Sequence, residues 1–142
     1  MSRSAAIAAA MLVLLSPTAV PHAWSQGPVS TAVVNVLSAE LRDAERSSDI
    51  DACRNWMIST ADIKLFFAVA MPISGPEWHY RYLAFQCEVF GELEIDGRLF
   101  EYRLNAGAHA VLISGDTSFQ YGCPEGCPVN FVSYRQNPDE QG

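Results

Sequence analysis

His79 and His109 are the two histidines outside an amino-terminal leader, and either imidazole could serve as a general base. A hydrolytic centre could join one of them to Ser114 or Ser118 with Asp116, or to Glu77. Neither serine sits in a nucleophile elbow, however, and Ser114-Gly115-Asp116 has the composition of a plain turn. Glu77 with Glu88, Glu92 or Glu94 could form the carboxyl pair of a glycosidase, which works only at a defined separation in space. Cys123 and Cys127 with His109 or His79 could hold a metal, but C-x3-C alone is a weak signature. No calcium loop, phosphate loop or dinucleotide fingerprint is present in the sequence. The reading is a protein without catalytic residues, metal or cofactor, which acts by binding.

The leader sets the compartment. Arg3 precedes an uncharged small and apolar run from Ala5 to Leu15, Pro17 and Pro21 break it, and Ala23-Trp24-Ser25 offers a cleavage site. This is the pattern of a signal peptide over 1–25, with an apolar run too short to span a bilayer. A single domain over 26–135 and a polar tail over 136–142 then make up a periplasmic or secreted chain without membrane insertion. Of 9 basic residues only Arg3 is lost, so 8 face 16 acidic ones, a net charge near −8. Such a surface repels nucleic acid and favours a basic protein as partner, or simply keeps the chain in solution. The oligomeric state is not legible.

In an oxidising compartment Cys53, Cys87, Cys123 and Cys127 are better read as disulfides than as nucleophiles or ligands. Four cysteines allow three connectivities. Pro124 and Gly126 suit a turn that joins Cys123 to Cys127, leaving Cys53 for Cys87. Closing the longer loop would contribute about 3 to 4 kcal/mol.

Two surfaces could bind a partner. One is an acidic stripe of Glu88, Glu92, Glu94 and Glu101, whose alternative is an ordinary solvated face. The other is Glu77-Trp78-His79-Tyr80-Arg81-Tyr82, dense in the residue types that anchor interfaces. Its alternative has Trp78 and Tyr82 packed on a sheet edge while Glu77 and Arg81 pair at helical spacing.

The elements that must position these surfaces start with Leu83 to Ile95, where odd positions are apolar or small and even ones mostly polar. That is a strand with one buried face. Asp96-Gly97 makes a tight hairpin turn, pairing Ile95 with Arg98, Leu93 with Phe100, Gly91 with Tyr102 and Val89 with Leu104. This register sets Glu92 opposite Glu101, and Gly91 is a candidate bulge. Further strands are expected over Ala108–Ser114, Thr117–Tyr121 and Val129–Tyr134. Upstream, Val33, Val34, Leu37, Leu41 and Ala44 predict a helix over Ser30–Arg46, although Thr31–Leu37 could begin as a strand. Ile50–Met57 is a short helical piece. Ser59-Thr60-Ala61-Asp62 is a capping box for a helix burying Ile63, Phe66, Phe67 and Ala70, ended by Met71-Pro72. Ile73-Ser74-Gly75-Pro76 reads as loop. The expected fold is α+β: an antiparallel sheet of four to five strands, N-terminal helices packed on one face, stabilised by disulfides.

Ser59-Thr60-Ala61-Asp62-Ile63-Lys64 with Phe66-Phe67, Glu77-Trp78-His79, Asn105-Ala106-Gly107 and the closing cysteines are similar to small secreted bacterial proteins of uncharacterised function. The similarity covers roughly Cys53 to Cys127 and implies a recurring domain, with no activity to carry over. The functional expectation is a small exported binding protein, an inhibitor or immunity-type protein against a basic envelope enzyme or toxin. The alternatives are an exported hydrolase using His79 with a nearby carboxylate, or a structural envelope protein without a discrete site.

Overall fold

A computed structural model of the chain describes residues 32–45, 47–123 and 126–132. The leader expected over 1–25 and the tail expected over 136–142 lie outside the described residues. In order the elements are β1 (Val34–Val36), β2 (Glu40–Arg42), α1 (Ser47–Cys53), α2 (Thr60–Val69) and β3 (Met71–Pro72), then α3 (Gly75–Arg81), β4 (Glu88–Ile95), β5 (Arg98–Asn105), β6 (His109–Ser114) and β7 (Thr117–Gly122).

The β4–β5 hairpin is the centre of the sheet. Asp96 and Gly97 both take positive φ, 51° and 78°, as a tight primed turn requires. The register is the expected one, with Leu93 opposite Phe100 and Gly91 opposite Tyr102. It places Val89, Leu93, Ile95, Phe100, Tyr102 and Leu104 in the core. The strand begins at Glu88 rather than Leu83, because the Asn105 side chain stands in for a strand partner. Its amide accepts from Phe85 N–H at 3.0 Å and donates to the Phe85 carbonyl at 2.7 Å.

Around this hairpin the strands form one seven-stranded antiparallel sheet, curled into a half-barrel, in the order β1-β4-β5-β6-β7-β3 with β2 also on β4. Seven strands replace the expected four to five. Two of the additional ones, β1 and β2, lie where a helix over 30–46 was expected, β1 within the stretch 31–37 given a strand as its alternative. Both run antiparallel along the same edge of β4, with Val34 opposite Ile95 and Leu41 opposite Val89. Between them Leu37 and Ser38 both donate to the Glu92 carbonyl, at 2.9 and 3.2 Å, so two residues face one. This is a bulge, and it lies on the edge strand, not on β4 as Gly91 had suggested. Gly91 is the accommodation to it: a β-carbon there would run into the Ser38 carbonyl.

The inner face of the sheet is covered by α2. Ser59 caps it as expected, its Oγ accepting from Asp62 N–H at 3.1 Å while the Asp62 carboxylate accepts from Ser59 N–H at 2.9 Å. Ile63, Phe66 and Phe67 are fully buried, and Phe67 meets Tyr102 edge-on at 5.9 Å. Burying a Phe side chain stabilises by roughly 1.5 to 3 kcal/mol, so α2 is part of the core. Met71 and Pro72 end this helix but also form β3, opposite Gly122 and Tyr121 at the far edge.

Gly75 and Pro76, expected as loop, instead begin α3, on which Glu77 and Arg81 stand at helical spacing. Ser74 and Glu77 make a second capping box and a proline occupies the first turn. The final strand expected over 129–134 is not formed over the described Val129–Val132. That segment lies over α2, with Phe131 at 5.7 Å from Phe66 and the Asn130 carbonyl accepting from the Trp56 indole at 3.1 Å. Cys53 is bonded to Cys87 and Cys123 to Cys127, the expected pairing, with Cα separations of 5.9 and 5.7 Å. The first bridge ties the end of α1 to the start of β4.

Candidate functional site

The sheet's outward face is a grid set by the strand registers. Glu92 and Glu101 are directly opposite each other, both exposed, and Glu101 continues to Ile113 on β6. The neighbouring row runs Glu40, Phe90, Arg103, Val111 and Gln120. Glu94 lies one row further, opposite Leu99, which is 52% exposed. Together Phe90, Gly91, Glu92, Glu101, Arg103 and Ile113 line most of a shallow depression of about 300 Å³. Phe90 and Ile113 are only half-buried there, which gives the depression an apolar floor beside its carboxylates.

Of the acidic stripe, Glu88 is neutralised. Arg42 on β2 pairs with it at 3.0 Å and lies over the Phe90 ring at 5.0 Å. Among the described residues no cation pairs with Glu92, Glu94 or Glu101. Like charges set opposite each other across a ladder cost stability, so this pair is a local liability of the fold.

The aromatic segment is divided by its helix. Trp78 and Tyr82, four residues apart, turn toward the sheet, where each meets the His109 ring edge-on at 5.9 Å. Tyr82 OH donates to the Cys123 carbonyl at 3.3 Å. Glu77 pairs with Arg81 at 3.7 Å and closes the Ser74 capping box. His79 and Tyr80 remain exposed, their rings 4.9 Å apart. Trp78, Tyr82, Glu77 and Arg81 thus take the packed arrangement, while His79 and Tyr80 are presented to solvent.

His109 is not brought together with Ser114 and Asp116. His109 opens β6 opposite Gly122, whereas Ser114 closes β6 opposite Thr117, beside the turn that holds Asp116. Ser114 Oγ instead accepts from Arg98 at 3.4 Å. His109 Nδ1 accepts from the Trp78 indole N–H at 3.1 Å, so its lone pair is engaged. Burial pushes this imidazole down to about 4, against a smaller opposing effect of the Leu83 carbonyl. Its Nε2 is buried without a partner in hydrogen-bond geometry. Among the described residues no three His, Cys, Asp or Glu side chains are grouped to hold a metal ion, and no helix is long and apolar enough to cross a membrane.

Three contributors to the outward face were missed from sequence. Arg42 was assigned to a helix, and the half-buried Ile113 and Val111 were counted only as strand residues. Counting the β5–β6 register from the turn would have placed both beside Glu101 and Arg103. Compared with protein-family models, with curated proteins and with solved structures, the chain has no match in any of the three.

Proposed function

We propose that the protein is exported and acts as a small binding protein, of the inhibitor or immunity type, against a basic envelope enzyme or toxin. The observation that carries this reading is the exposed, opposed pair Glu92–Glu101 beside a half-buried apolar floor, with the half-buried Glu94 one row further, all three without cation partners. A basic partner would relieve the repulsion of the pair, and Phe90 and Ile113 would supply the desolvated contact that charge alone does not give. The leader pattern and the two disulfides support the compartment.

The test is a pull-down with the oxidised protein against envelope and secreted fractions of its own organism, beside a bait carrying Glu92→Lys and Glu101→Lys. A basic protein retained by the first bait and lost from the second is the expected result. Equal retention by both would move the working surface to His79 and Tyr80, and empty eluates would end the tight-inhibitor reading for those fractions.

A further inference from the structure

α3 is held to the sheet in an unusual way. None of the residues within the helix itself is fully buried, and both of its capping interactions are internal to residues 74–77. Its flanks are fixed: Ile73 N–H donates to the Gln120 carbonyl at 3.0 Å, and Tyr82, 6% exposed, is bonded to Cys123 and pressed against Gly122. Between these two points the specific attachment of the helix is the Trp78 indole N–H on His109 Nδ1. With Nδ1 accepting, the single proton of a neutral ring sits on Nε2. A protonated ring carries N–H at both nitrogens, so its Nδ1–H and the Trp78 N–H would point at each other.

We propose that α3 is an acid-released flap: proton uptake at His109 Nδ1 expels the Trp78 indole and frees the helix from the sheet between its two fixed flanks. No charged group around the ring offsets that proton. Just after α3 the titratable neighbour in contact is the Tyr82 phenol, while on the helix Glu77 is paired with Arg81, and His79 and Arg81 are exposed. Across the ladder His109 is opposite the uncharged Asn105 on β5, whose amide is bonded to Phe85, and opposite Gly122 on β7, followed by the bridged Cys123. The nearest carboxylate along its cross-strand row, Glu88, is bonded to Arg42. The latched ring is held near 4 and a released ring returns to about 6.5, so the released state binds more protons between those values. The latch is therefore fully closed above about 6.5 and weakens as the pH falls toward 4, by up to about 300-fold in its opening equilibrium. Release would present Trp78 beside His79 and Tyr80, enlarging the exposed aromatic surface in acid.

Acrylamide quenching of tryptophan fluorescence in the full chain, read from neutral pH downward, tests this, with Trp78→Phe identifying the share of Trp78. The expected result is a rise in Trp78 quenching below pH 6.5 while far-UV circular dichroism stays constant. His109→Gln, whose side-chain carbonyl can accept the indole N–H but cannot titrate, should abolish the rise. His79→Gln, altering the exposed ring 6.4 Å from the same indole, should leave it. A rise that survives His109→Gln, or one that coincides with loss of circular dichroism, would overturn the proposal. In the unaltered chain the His109 imidazole should titrate by NMR below 6.5, and a midpoint at or above that value would overturn it equally.

Discussion

α2 and α3 begin with the same device and end in different relations to the fold. Ser59 with Asp62 and Ser74 with Glu77 make equivalent capping boxes, each serine oxygen accepting the backbone N–H three residues on. Beyond the caps they diverge: α2 places Ile63, Phe66 and Phe67 in the core, and α3 buries none of its helical residues. A cap fixes where a helix starts, at about 1 kcal/mol, whereas packing fixes whether it is part of the cooperative unit. The one helix is structural, and the other is a surface element attached by a hydrogen bond and its flanks.

The largest test of that difference is a pair of aromatic truncations. Phe67→Ala should cost about 3 to 5 kcal/mol in denaturant unfolding. Tyr80→Ala, at a side chain 64% exposed, should stay within about 0.5 kcal/mol. Next, replacing Cys53 and Cys87 together with Ala should cost about 3 kcal/mol, since the bridge spans 34 residues and anchors α1 against the core hairpin. The caps give a smaller and sharper contrast. Ser59→Ala should lower global stability by about 1 kcal/mol. Ser74→Ala should change only local hydrogen exchange within α3, because α3 can open without unfolding the sheet. Equal global losses from the two serines would contradict the distinction. The Ser59 effect also has a defined pH dependence. Hydrogen bonds from the Ser59 side chain and backbone hold the Asp62 carboxyl below its ordinary 3.8, so their contribution is complete above that value and is lost as the pH falls through the depressed one. The difference between wild type and Ser59→Ala should narrow in acid accordingly.

What could be read from sequence follows from how local each determinant is. The β4–β5 register is counted outward from Asp96-Gly97, so the Glu92–Glu101 opposition was legible without any tertiary information. The pairing of Glu88 with Arg42 was not, because it depends on an edge strand far away in the chain. That edge was misread for a specific reason. Val34 and Val36 stand opposite the buried Ile95 and Leu93, the Leu37–Ser38 bulge adds one residue, and Leu41, itself exposed, then stands opposite the buried Val89 out of phase. A two-residue period with one phase slip mimics helical spacing. α3 was foreshadowed only by the helical spacing of Glu77 and Arg81, and its start at Ser74 and Pro76 was read as loop, because a helix that buries nothing leaves no apolar period to follow the cap. The burial of His109 depends on contacts with Trp78 and Tyr82, distant in sequence, and no local pattern announces it.

The claim that the outward face is a binding surface is tested most directly by measuring stability and partner retention on one variant, Glu101→Lys. The substitution replaces a repulsive cross-strand pair with an attractive one, so unfolding should become harder by roughly 0.2 to 1 kcal/mol. The account predicts that this more stable protein loses the partner that the wild type retains, as a surface kept unfavourable for function would. A gain in stability with retention unchanged would contradict it and leave the acidic pair a solvated face.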